Sequence, residues 1–150
     1  METDQYLDVF LDESREHLQL MNDGLLRLEG EPEEISVVQE IFRGAHTLKG
    51  MSATMGFSDM AELTHKLENV LDAVRNGELA VTTDVVDVLL KGTDELEAMT
   101  DDIAGGGDGG GDIQQTVVRL NQLLNLEVAV STADTNGSDL TLDEYERTVI

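Results

Sequence analysis

Cysteine is absent from the chain, which excludes a disulfide framework, a thiol nucleophile and Cys-ligated zinc. Tryptophan is absent too, aromatic residues make up 3% and Pro32 is the single proline. With apolar residues recurring at a period near 3.6, that composition leaves strands little support and predicts an all-helical chain. Bases are scarce: nine Lys and Arg stand against 32 Asp and Glu, a formal net charge of -23. So negative a surface repels phosphate backbones and anionic headgroups, so neither nucleic acid nor direct membrane binding is expected. The acid loading is also similar to that of proteins from salt-loving organisms, and a halophile is the expected source. No apolar run approaches the roughly 20 residues of a membrane helix. The amino terminus, "METDQYLDVF", is acidic where a signal peptide would be basic. A cytoplasmic location is the expectation.

What is present is a series of amphipathic segments. At 150 residues the chain is long enough for one domain with its own core. The first helix is predicted over about 4–28, with Leu7, Phe10, Leu11, Leu18, Met21, Leu25 and Leu28 in one stripe. Gly30 and Pro32 divide it from a second helix over 33–55, whose expected buried face is Ile35, Val38, Phe42, Ala45, Leu48, Ser52 and Met55. Gly56 is the natural stop, and Ser58 is the expected cap of a third helix over 58–76, which buries Leu63, Leu67, Val70, Leu71 and Val74. A fourth, over 83–104, begins near Thr82 or Thr83, with Asp84 favourable in its first turn. Four such helices joined by short connections predict an antiparallel up-and-down four-helix bundle.

"GGGDGGGD" follows, with Gly105, Gly107 and Gly110 in the spacing of a dinucleotide fingerprint. That fingerprint works only between a strand and a helix, so 105–112 is read as a flexible linker. A short fifth helix is predicted over 113–125, closing a domain of residues 1–126, with 127–150 an acidic, disordered linker.

Residues 43–58 lie in the longest stretch without Asp or Glu, and that stretch holds His46. Lys49, Gly50 and Ala53 share its side of the second helix. A glycine in mid-helix costs about 1 kcal/mol relative to alanine, so Gly50 and Gly44 need a reason. Open space around an exposed imidazole is one; a close helix crossing is another. Across the turn, His46 lies ten residues before Gly56 and His65 nine after it, so both sit roughly 14–15 Å from the bend. Glu68, three residues past His65, faces the same way. Adjoining faces would gather His46, Lys49, His65, Lys66 and Glu68 into one patch, with Arg43 nearby.

A carboxylate accepting from Nδ1 fixes the imidazole tautomer that leaves Nε2 free to attack, and phosphoryl transfer asks mainly for positioning and positive charge. The patch therefore suits a phosphoacceptor, with Glu68 orienting His46, Lys49 supplying positive charge and Arg43 and Lys66 as secondary suppliers of it. The other reading is a non-catalytic interaction module in which His46 is incidental. Glu62 and His65 form one E-x-x-H, but the second such motif that a di-iron bundle needs is missing, so no metal is expected. His17 is read as structural or solvent-exposed, and Met51, Met55 and Met60 as core filler.

"AHTLKGMSATMGF" and "LTHKLENVLDAVRNGEL" resemble the motifs of histidine phosphotransfer (HPt) domains, in particular those at the amino terminus of the CheA family of chemotaxis histidine kinases. The resemblance spans roughly residues 4–125. It implies that His46 takes a phosphoryl group from ATP through a separate kinase catalytic domain, where Mg²⁺ also belongs. It implies delivery to an Asp of a CheY-type or CheB-type response regulator. Glu68 would hydrogen-bond His46, Lys49 would assist and His65 would stand behind them, while Gly50 and Gly56 fit the family pattern. The glycine tract and Met51 depart from it. The chain would then be a phosphoacceptor and relay, monomeric by itself, with no cofactor of its own.

Overall fold

The computed structural model describes residues 2–135, with side chains over 5–125. Five helices occur in it: α1 (Glu2–Gly30), α2 (Ile35–Met55), α3 (Ser58–Arg75), α4 (Thr83–Ala104) and α5 (Gln114–Thr135). α1 packs on α2 and α4, α3 packs on α2 and α4, and α5 lies against α3 and α4. The first four close into an antiparallel bundle, as the apolar periodicity predicts.

Its centre is aliphatic. Leu18, Leu25, Leu48, Leu63, Leu67, Leu89 and Leu96 are at most 1% exposed, each contributing about 2 kcal/mol of apolar burial. Four buried hydroxyls are satisfied within their own helices: Ser52, Thr64, Thr93 and Thr100 each donate to the carbonyl four residues earlier. Where helices approach most closely the side chain is missing. A Cβ on Gly92 of α4 would come within 2.8 Å of Leu67 Cδ2 on α3, and one on Gly24 of α1 within 2.7 Å of Ile41 on α2.

The α2–α3 turn sets the site's register. Gly56 adopts φ +83, the left-handed conformation that a glycine takes without a Cβ clash, and its N–H meets the Ala53 carbonyl while that of Phe57 meets Ser52. This turn carries the chain straight into α3, so Phe57, not Ser58, is the residue preceding the helix, and no side chain caps it. α2 starts two residues later than expected. Pro32 presets the turn Glu31–Glu34, closed by Glu34 N–H to the Glu31 carbonyl at 3.1 Å, and does not open the helix. At α4 the Thr82 hydroxyl accepts from Val85 N–H at 3.2 Å, and Asp84 follows in the first turn.

Three further expectations are corrected. The buried face of α2 is rotated: Val37, Val38, Ile41, Ala45 and Leu48 fill the core, Ile35 at the helix end is exposed, and Phe42 and Met55 sit at the boundary. The tract 105–112 is pinned to the bundle. Asp102 accepts from Gly109 N–H at 3.0 Å, Asp59 from Gly111 N–H at 3.3 Å, and Gly109 is buried. α5 continues to Thr135, ten residues past the predicted end, because residues 126–135 contain neither glycine nor proline to stop it. The linker expected over 127–150 is thus helical to 135, and its remainder lies outside the described residues.

Candidate functional site

Of the six expected site residues, three converge. His46, on the α2 turn after Phe42, has a side chain 63% exposed, while Glu68 on α3 is 9% exposed. His46 Nδ1 and Glu68 Oε2 are 2.5 Å apart, and Lys49 Nζ donates to Glu68 Oε1 at 2.6 Å. Both oxygens of one nearly buried carboxylate are therefore occupied by groups from the facing helix. Burial pushes the Glu68 carboxyl up, but the hydrogen bonds and charges of Lys49 and His46 pull harder, and it lies below its ordinary value of 4.5. Glu68 is a carboxylate near neutrality. Because that carboxylate accepts the hydrogen bond from Nδ1–H, the neutral form of the imidazole carries its lone pair on Nε2, on the exposed ring.

Arg43 and His65 are exposed and Lys66 half-buried; among the described residues, none of the three makes a hydrogen bond or ion pair within the site. The two explanations of the small residues divide between the two glycines. Gly44 faces α1, where a Cβ would lie 3.3 Å from Met21, whereas Gly50 has nothing within 4 Å and leaves the surface beside His46 open. Among the described residues no three His, Cys, Asp or Glu side chains group as metal ligands.

Two features escaped the sequence. An apolar groove of about 930 Å³ adjoins His46, with Tyr6 and Val9 of α1 along one side and Thr47, Gly50, Met51 and Met55 of α2 along the other. Tyr6 and Val9 stand exposed off the buried stripe of α1, and that displacement was the available signal. The second is an aromatic neighbour: the Phe42 ring lies nearly parallel to the His46 imidazole, at 10° and 6.2 Å between centroids.

A four-helix bundle presenting an exposed imidazole, oriented by a buried carboxylate from the next helix, defines a phosphotransfer-type histidine domain. The sequence profile of the Hpt domain matches residues 5–106, and the chain belongs to that family. It is 52% identical over 155 residues to chemotaxis protein CheA of Bacillus subtilis (strain 168), an alignment covering 100% of the chain and 23% of that protein. With CheA of Listeria innocua the identity is 53% over 131 residues, 87% of the chain and 21% of the relative. The chain thus spans less than a quarter of these relatives. CheA of Halobacterium salinarum is 41% identical over 122 residues, 81% of the chain and 18% of the relative, below the Bacillus and Listeria proteins, so the relatives give no support to a halophile source.

Among solved structures, the CheA phosphotransferase domain from Thermotoga maritima matches at TM-score 0.64 and 51% identity, covering 67% of this chain and 95% of that one. A solution structure of the histidine phosphotransfer domain of CheA matches at 0.70 and 39%, covering 92% and 98%. The phosphorylated P1 domain of CheA3 in complex with CheY6 from R. sphaeroides matches at 0.71 and 24%, covering 84% and 98%, a likeness of fold alone. No helix among the described residues is long and apolar enough to cross a membrane.

Proposed function

We propose that this domain is the phosphorelay unit of a chemotaxis sensor kinase, with His46 as phosphoacceptor. The carrying observation is the His46–Glu68 contact, which ties up Nδ1 and leaves Nε2 exposed for attack. Nε2 attacks the γ-phosphorus of ATP held, with Mg²⁺, in the separate kinase catalytic domain. An N–P bond forms as the bond to the ADP oxygen breaks. The ring gains positive charge, which the Glu68 carboxylate offsets, and the Lys49 ammonium keeps that carboxylate ionised. In the second transfer an Asp of a CheY-type or CheB-type regulator takes the phosphoryl group, and His46 returns to its neutral form. The complex of the CheA3 P1 domain with CheY6 supports this kind of partner, and the apolar groove beside His46 offers a regulator a face to dock on.

On this reading the isolated chain is a cytoplasmic, monomeric substrate and relay, without ATP or metal of its own. Incubation with γ-labelled ATP and a supplied CheA-type catalytic domain tests it. Label should be acid-labile, map to His46, chase onto a regulator and be abolished by His46→Gln with helicity and melting unchanged. Absence of label with a demonstrably active kinase would leave an interaction module that uses the groove alone.

A further inference from the structure

A single hydrogen bond through Nδ1 restrains one distance, whereas the imidazole plane depends on two torsions, χ1 and χ2, so one combined freedom is left. Nε2 is aimed only if something else sets the ring plane. With its side chain 63% exposed, His46 has little packing to do so, except on one side. Phe42, one helical turn earlier, lies 10° from parallel with centroids 6.2 Å apart, within the range of offset aromatic pairs. Phe42 is itself held from α3. The Arg75 guanidinium carbon is 4.0 Å from its ring centroid, a cation–π distance, and Arg75 Nη2 donates to Asp72 Oδ1 at 2.6 Å.

The spacing on α3 makes this a paired grip. Glu68 and Arg75 are seven residues apart, two turns on one face. Glu68 holds His46 and Lys49, while Arg75 holds the residue one turn before His46. Asp72, between them on α3, orients the guanidinium.

We propose that Phe42 and Arg75 are positioning residues for transfer at His46: Phe42 sets the imidazole plane, and Arg75, braced by Asp72, holds the Phe42 ring. This rests on His46 being the phosphoacceptor. Orientation of this kind acts on the chemical step, so its loss lowers kcat and leaves KM for the kinase domain unchanged.

The test is steady-state phosphorylation of this chain by a CheA-type catalytic domain with ATP, alongside thermal melts. Labelling of the wild type at His46 comes first; an unlabelled wild type overturns the phosphoacceptor reading and this inference with it. Given labelling, Phe42→Leu, which keeps most of the apolar volume, should lower kcat about tenfold with KM nearly constant. Phe42→Tyr, which keeps the ring, should restore the rate. Arg75→Ala, at an exposed position, should lower kcat about threefold and weaken nuclear Overhauser contacts between the Phe42 and His46 rings. Wild-type kcat in Phe42→Leu, or failure of Phe42→Tyr to rescue it, overturns the inference. Should Phe42→Leu fail to fold, wild-type kcat and intact ring contacts in Arg75→Ala overturn it alone.

Discussion

Glu68 is the residue on which the candidate site turns, because among the described residues it is the one buried charge and both its oxygens are used. Glu68→Gln keeps an oxygen able to accept from Nδ1 but loses the charge that offsets a positive ring and pairs with Lys49. Phosphorylation should slow roughly 10- to 100-fold without vanishing, since the nucleophile survives. A labelling rate equal to wild type would remove Glu68 from the mechanism. The carboxyl also carries a pH signature. Its folded pKa lies below the ordinary value of 4.5, so its contribution to stability is complete above that value. It declines as pH falls through the depressed folded pKa. Urea melts of wild type and Glu68→Gln should therefore differ most near neutrality and converge in acid. A gap that widened as pH fell would contradict the sign.

At the scale of elements, the glycines of α2 and α4 separate two uses of the same residue. Gly92→Ala places a Cβ within 2.8 Å of Leu67, the neighbour of Glu68, so α3 must shift or Leu67 leave its rotamer. A loss of about 1–3 kcal/mol is expected in chemical denaturation, together with slower labelling as the carboxylate moves. Gly50→Ala meets nothing within 4 Å and replaces a poor helix former, so it should add about 0.5–1 kcal/mol. If Gly50→Ala destabilises, the open space beside His46 is not open in solution.

The same distinction explains what was legible in the sequence. Helix existence and the level of His46 with His65, with Glu68 one turn further on, followed from period and from the Gly56 turn, because backbone rise is nearly invariant, although it is Glu68 that meets His46. The rotation of α2 did not, since Ile41 and Phe42 are adjacent apolar residues and only packing against Gly24 and α1 selects Ile41 for the core. That choice leaves Phe42 beside His46. The pinned glycine tract was unreadable for another reason: its partners, Asp59 and Asp102, are ordinary acids in a chain full of them.

For the molecule as a whole, acids crowd the surface of a bundle whose exposed positions are mostly helical among the described residues. Glu97 shows the local cost: burial, then Asp94 and Asp101 on the same helix, push its carboxyl up. An acid whose folded pKa is raised destabilises the fold when ionised, and that cost is lifted as pH falls through the folded value. The few ion pairs on exposed side chains, such as Arg15–Asp101 at 3.4 Å and Arg27–Glu31 at 3.2 Å, offset little of it. Salt relieves the repulsion, because the screening length falls from about 30 Å at 0.01 M to about 3 Å at 1 M. Stability should rise with KCl across that range, and a gain on the order of 1 kcal/mol would lift Tm by about 2–4 °C. KCl is the appropriate salt, since sulfate would strengthen apolar burial by a separate route. The His46–Glu68–Lys49 cluster pairs its one acid with a base and is largely shielded from solvent at Glu68, so its geometry should not follow the salt. A Tm that stays constant between low and molar KCl would mean that the acids are already spaced widely enough to coexist, and that the charge of -23 is tolerated without screening.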